Sequence, residues 1–268
     1  MPYKPKKSLG QNFMLSEDIS KYMVNSLQLA SDDIVVEIGP GLGAVTQTLS
    51  EALFEYGSKI YAVEIDSRFI SKLEQMFKTT VNVSVVEADI LEWLPKKAKE
   101  FAAENTPFKV LGSLPYYITS PILHMLVKLP RLPETCVLLI QKEVAEKISA
   151  KAPDASYLSV FLQTFFEVDY LKEVPREVFK PVPKVDGGIV RLTRREALPE
   201  YLADLNMIDK FEGFLHKGFQ TPRKMLNKPF TDAELARSSV DGTKRPQALS
   251  VGDWQRMFEV LVLGEYAI

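Results

Sequence analysis

Between residues 33 and 141 the chain alternates short β-branched apolar runs with longer stretches of helical spacing, and few folds accept that order. DIVVEIG (33–39), KIYAVEID (59–66), VSVVEADI (83–90), FKVLG (108–112) and PETCVLLIQ (133–141) read as five strands. AVTQTLSEALFEYG (44–57) sets Val45, Leu49, Ala52 and Leu53 on one helical stripe and ends in glycine. SRFISKLEQMFK (67–78) reads as another helix, opening on a serine. Near-continuous apolar strands separated by helices imply a parallel sheet covered on both faces. The expected fold class is therefore α/β, a Rossmann-like doubly wound sheet.

After Lys151 the pattern changes. SYLSVFLQTFFEVDYLKEV and KVDGGIVRLTRR read as a helix and further strands, with FKPVPK as a rigid connection between them. Past Arg195 strand signals stop, and LADLNMIDKFEGFLHKGF and SVGDWQRMFEVLVLGEY show helical periods. A boundary is expected near residue 195, giving a sheet domain over 1–195 and a small α-helical domain over 196–268.

Composition removes several function classes. Thirty-three Lys and Arg face 35 Asp and Glu, a net charge of −2, so whole-chain charge says nothing about nucleic acid. The one cysteine, Cys136, excludes an internal disulfide framework and fits a reducing compartment; inside TCVLLI it reads as a small buried hydrophobe. Two histidines, His124 and His216, are too few and too isolated for a metal site. No apolar run reaches the roughly 18 residues of a membrane span, and MPYKPKKSLGQNF lacks the apolar core of a signal peptide. A cytoplasmic monomer is expected.

In open α/β sheets, ligands bind outside the carboxyl ends of the strands. Here those ends carry Glu37, Glu64 with Asp66, and Asp89, beside the loop Gly39-Pro40-Gly41-Leu42-Gly43. The glycines let a ligand approach the backbone closely. Glu64 lies about 25 residues beyond Gly39, near the spacing at which an acid takes the ribose hydroxyls of a nucleoside. A dinucleotide enzyme would seat a pyrophosphate at this loop. A methyltransferase would lay S-adenosylmethionine there, with Glu64 on the ribose and Asp89 on the adenine amine. The third acid favours the phosphate-free cofactor.

Ser113-Leu114-Pro115-Tyr116 follows the fourth strand and so falls at the same edge. An exocyclic base amine is a poor nucleophile because its lone pair is delocalised into the ring. Two acceptors on its hydrogens would draw the nitrogen toward tetrahedral geometry and aim the lone pair at a methyl group. A side-chain oxygen at 113 and the Leu114 carbonyl, stiffened by Pro115, suit that task. Tyr116 is placed to stack on a base drawn out of its helix.

The segments KKSLGQNF (6–13), VVEIGPGLGAVT (35–46), AVEID (62–66), EADIL (87–91), LPYYITSPI (114–122), QKEVAEK (141–147), FKPVPKVDGGIVRL (179–192) and RPQALSV (245–251) run across nearly the whole chain. In that order they resemble the ribosomal RNA adenine N6-dimethyltransferases, most closely the bacterial small-subunit branch. The resemblance implies two methyl transfers from S-adenosylmethionine to each of adjacent adenosines in a terminal hairpin of 16S rRNA, within the pre-30S subunit. It implies cofactor contacts from Asn12 and Met14, Gly39 beneath the cofactor, and position 113 bridging cofactor and target amine. At 113 the family pattern is asparagine, and this chain has Ser113. A hydroxyl is shorter than an amide and cannot combine an N–H donor with a carbonyl. FQTPRKMLNK (219–228) also departs, since Pro222 falls where the family carries consecutive arginines.

Lys217, Arg223, Lys224 and Lys228 lie in an acid-free stretch and are expected to grip RNA phosphates. Lys4, Lys6 and Lys7, and Arg191, Arg194 and Arg195, form two further basic groups. Three other functions fit parts of the pattern: a large-subunit rRNA adenine methyltransferase, an assembly factor weakened at Ser113, and, more distantly, an NAD(P)-linked oxidoreductase.

Overall fold

The computed structural model describes residues 5–6, 10–30, 32–53 and 58–264. In chain order the elements are β1 (Phe13–Met14), α1 (Glu17–Ser26), β2 (Ile34–Ile38), α2 (Ala44–Leu53), β3 (Lys59–Glu64), α3 (Ser67–Met76), β4 (Val83–Glu87), α4 (Ile90–Ala103), β5 (Lys109–Ser113), α5 (Thr119–Val127), β6 (Thr135–Gln141), α6 (Lys142–Ser149), α7 (Tyr157–Phe165), β7 (Phe166–Val174), β8 (Phe179–Lys180), β9 (Gly187–Arg194), α8 (Leu205–Phe219), α9 (Asp232–Ser238) and α10 (Val251–Phe258).

Seven strands form one sheet in the order β4-β3-β2-β5-β6-β9-β7. The first five are mutually parallel, and β9 runs antiparallel to β6 with Leu139 opposite Ile189. The chain order reverses between β2 and β5, which opens a crevice at their carboxyl ends. Alternation along each strand sends neighbouring residues to opposite faces. Val35, Ile60, Leu111 and Val137 join α1 and α2 in one core through Met23, Leu27, Leu49 and Leu53. On the other face Tyr61 meets Trp93 and Phe101 of α4 at ring-centroid distances of 5.5 and 6.4 Å.

The chain divides into two compact units: Met1–Ala145 with Asp169–Arg194, and Glu146–Val168 with Arg195–Ile268. Where one cut near residue 195 is expected, the chain passes between units at three places. The cause is local. A capping box of Ser156 and Ser159 starts α7, but no glycine or proline ends it, and the helix runs straight into β7. The second unit is helical around an aromatic core. Phe214 lies edge-on to Trp254 at 6.0 Å and to Phe258 at 5.6 Å, and Tyr157 stacks on His216 at 4.0 Å. A Cβ added at Gly218 would lie 2.2 Å from the Trp254 ring, so glycine is required for α8 to approach so closely.

Two smaller expectations change. Helix α3 opens on Ser67 as expected, but it ends at Met76 rather than at 78, and the Asp66 carboxylate caps it. The FKPVPK segment is more than a connection, because Phe179–Lys180 pairs with the N-terminal Phe13–Met14. Cys136 lies fully buried in β6, where loss of solvent pushes its thiol pKa up.

Candidate active-site cleft

The carboxyl ends of β2, β3, β4 and β5 converge on one cleft of about 960 Å³, measured out to its open mouth. The glycine loop comes first. The Gly39 N–H donates to Val63 O at 2.9 Å, which turns the chain out of β2 at a φ of 67°. A Cβ at Gly39 would meet nothing within 4 Å, so the backbone there presents a bare surface to the cleft.

Glu64 holds this loop in place. Its Oε2 accepts the Gly41 N–H at 3.0 Å, and its Oε1 accepts the Asp66 N–H at 2.8 Å. One carboxylate thus ties the loops after β2 and β3 together. Only 5% of Glu64 is exposed. Burial raises its pKa, against the pull of the two backbone bonds. Each oxygen keeps a second lone pair for a ligand hydroxyl.

Asp89 lies two residues beyond β4 rather than within the strand. Its Oδ1 accepts the Leu91 N–H at 2.9 Å and caps α4, while the side chain also lines the cleft. Ser113 ends β5. The next residue continues the ladder, with the Leu114 N–H donating to Leu139 O at 2.9 Å. Pro115 O then accepts from the Ile118 N–H and the Thr119 hydroxyl, each at 3.2 Å, starting α5. The Ser113–Tyr116 backbone is therefore held between β6 and α5. Tyr116 lines the cleft, and its hydroxyl donates to Val185 O at 3.3 Å.

Asn12 and Gly41 line the cleft as well, and the Asn12 amide donates to Gly10 O at 3.1 Å. Met14 does not reach it. Met14 packs in the core and faces a smaller recess shared with Asn12, Glu37, Gly39, Gly41 and Ser113. Glu37 is the acidic residue of that recess. Its Oε2 has no hydrogen-bond partner among the described residues, and burial, with Glu64 nearby, pushes its pKa up to about 7.

A carboxyl whose folded pKa is raised binds its proton more tightly folded than unfolded. The contribution of Glu37 to stability is then fully present below about pH 4.5, where both states are protonated, and is lost as pH rises to about 7. The loss amounts to about 3 kcal/mol. Glu37→Gln is expected to remove this slope and to stabilise the free protein at pH 8, as measured by urea unfolding at pH 5 and pH 8. Equal slopes in both proteins would contradict the burial argument.

The cleft walls also include residues that the motifs do not single out: Gln11, Phe13, Phe69, Phe179 and Gly187. Phe179 belongs to a segment already notable in the sequence. Gln11 falls within KKSLGQNF, but its role is set only by its long-range partner Asp66. Among the described residues lining the cleft there is no lysine, arginine or histidine.

The basic groups fare differently. Arg191 pairs with Asp169 at 3.0 Å, Arg194 with Glu134 at 3.8 Å, and the Arg195 Nε donates to Gln163 O at 2.8 Å. Lys6 pairs with Asp66 at 3.1 Å, and Lys4 and Lys7 lie outside the described residues. Lys217 pairs with Glu234 at 2.9 Å and lies 4.5 Å from the centre of the Phe230 ring. Arg223, Lys224 and Lys228 are exposed on the loop between α8 and α9 and make no ion pair among the described residues.

Comparison with known proteins fits this arrangement. The family model described as "Ribosomal RNA adenine dimethylase" matches residues 3–262. "Ribosomal RNA small subunit methyltransferase A" of Sulfurihydrogenibium sp. is 36% identical over 261 residues, covering 96% of both chains. The crystal structure of the 23S rRNA methyltransferase ErmE superposes with a TM-score of 0.72 at 29% identity, over 93% of this chain and 99% of that one. A dimethyladenosine transferase from Plasmodium falciparum shares the fold with a TM-score of 0.75 at 24% identity, over 96% and 100%. With a family model that matches residues 3–262, the chain belongs to the ribosomal RNA adenine dimethylase family.

Proposed function

We propose that this protein dimethylates N6 of adjacent adenosines in small-subunit (16S) rRNA during ribosome biogenesis, using S-adenosylmethionine. The observation that carries this is one cleft in which carboxylates of Glu64 and Asp89 face Ser113–Tyr116, with no cationic side chain in its described lining. Such walls suit a cofactor that is itself a cation and has no phosphates, and they offer nothing to a pyrophosphate. The bare backbone at Gly39 fits the same ligand.

S-adenosylmethionine, when bound, supplies an electrophilic methyl group on a positively charged sulfur. Glu64 takes the ribose hydroxyls with the lone pairs left over from Gly41 and Asp66. Asp89 accepts from the adenine amine, and Gly39, Gly41 and Asn12 complete the seat. Met14 serves from the recess behind, by keeping the N-terminal segment in register. Ser113 and the Leu114 carbonyl accept from the target amine, and Pro115 fixes that carbonyl's direction. Tyr116 and Phe179 flank the extruded base. The second unit supplies phosphate contacts through Arg223, Lys224 and Lys228, with Lys217 held nearer its own Glu234. The partner is the pre-30S subunit, met by a monomer in the cytoplasm. Identity with the small-subunit relative exceeds that with the large-subunit enzyme, which favours the former substrate.

A ligand that binds only the native state adds about 2.7 kcal/mol of stability at a hundredfold excess over Kd, and so raises the unfolding midpoint. Thermal unfolding with S-adenosylmethionine is expected to rise by several degrees, and with NAD not at all. A shift with NAD alone would overturn the assignment.

A further inference from the structure

Residues 10–14 cross the cleft as a strap, with Gly10, Gln11, Asn12 and Phe13 all in its wall. One side of the strap is stitched to the FKP segment. Phe13 and Met14 pair with Lys180 and Phe179, and the Leu15 N–H donates to Val178 O at 2.9 Å. The other side ends on a single carboxylate. The Asp66 side chain is 0% exposed and accepts from Gln11 Nε2 at 2.8 Å, Lys6 Nζ at 3.1 Å and the Arg68 guanidinium at 2.6 Å. Gln11 closes the ring, since its Oε1 accepts the Lys6 N–H at 2.8 Å and the Arg68 guanidinium at 3.2 Å.

We propose that Asp66 is a positioning residue that latches the N-terminal strap over the bound cofactor and thereby sets how fast spent cofactor leaves. This rests on the reading of the cleft as an S-adenosylmethionine site. Asp66 touches no reacting atom and acts through Gln11 and Glu64. Its backbone N–H is held by Glu64 Oε1, so one three-residue turn joins the ribose-binding carboxylate to the strap. The strap in turn presses on the catalytic turn, because a Cβ at Gly10 would meet Tyr117 at 3.3 Å and Pro115 at 3.4 Å. Phe13 completes the seal edge-on against Phe69 at 5.6 Å. Dimethylation consumes two donors per adenosine at one cleft, so the strap must release between transfers. The Arg68 guanidinium, followed by Gln11 and Lys6, holds the Asp66 carboxyl well below the usual carboxylate range, so the latch stays charged at neutral pH.

The test uses the full chain with Asp66→Asn and Gln11→Ala. Asparagine keeps the cap on α3, and Gln11 lies outside every helix and strand, so loss of the fold in one variant leaves the other to decide. Both are expected to bind S-adenosylhomocysteine on the order of tenfold more weakly, with the change in the dissociation rate. Amide exchange over residues 10–14 is expected to quicken. The donor KM should rise while the single-turnover rate at saturating donor holds, a split that general loosening would not produce. Unchanged affinity and dissociation with quickened exchange would overturn the latch. Failure of the unaltered protein to bind S-adenosylhomocysteine would instead overturn the cofactor reading.

Discussion

Ser113→Asn is expected to raise single-turnover methyl transfer by up to about 10²-fold, the size of effect seen when one well-placed oxyanion-type contact is gained or lost. Ser113 sits at the last position of β5 and borders both the cleft and the recess behind it. The ladder bond from Leu114 to Leu139 fixes its backbone, so a longer side chain projects from an unchanged base. An amide carbonyl reaches further than a hydroxyl and leaves an N–H to orient it. The serine therefore does less of the work on the target amine, and the Leu114 carbonyl does more. Ser113→Ala should then cost only a few-fold, with cofactor affinity unchanged. Unaltered turnover in Ser113→Asn would show that the backbone carbonyl suffices and that the departure at 113 is neutral.

The second large effect belongs to Glu64. Removing its side chain in Glu64→Ala leaves the Gly41 and Asp66 N–H groups without their acceptor. Each buried, unsatisfied donor costs about 1–3 kcal/mol. Relief from burying a carboxylate offsets part of that cost. A net loss of about 2–4 kcal/mol is expected in urea unfolding at neutral pH. Cofactor affinity should fall by about 10²-fold, as two charge-assisted bonds to ribose disappear and the glycine loop is released. Glu64→Gln should recover little of either, because its amide NH₂ would face one of the two backbone donors. Normal affinity in Glu64→Ala would remove the ribose assignment, and normal stability would remove the clamp.

These two residues are legible in the sequence because they end strands whose apolar runs are uninterrupted. Once the five runs are read as parallel, their carboxyl ends must share an edge, and Glu64, Asp89 and Ser113 fall together without further information. The antiparallel strands are visible as strands, but nothing local assigns β9 to the edge of β6. Pairing of Phe13–Met14 with Phe179–Lys180 leaves no trace, since two-residue strands have no period. The Asp66 latch is hidden for the same reason. Beside Glu64 it reads as a strand end, whereas its partners Gln11 and Lys6 lie 55 and 60 positions away. Clusters of basic residues mislead because pairing is a tertiary property: Arg191 finds Asp169, and Lys217 finds Glu234 beyond the acid-free stretch. The interleaving of the two units escapes notice because the passage from α7 to β7 lies inside one apolar run.

The most direct measurement is transfer of labelled methyl from S-adenosylmethionine to undermethylated small ribosomal subunits, with unaltered protein beside Ser113→Asn. Dimethyladenosine is expected from both, faster with asparagine. No transfer from the unaltered protein despite normal cofactor binding, with activity restored by asparagine, would contradict the assignment as an enzyme. It would mark a fold kept for binding the subunit.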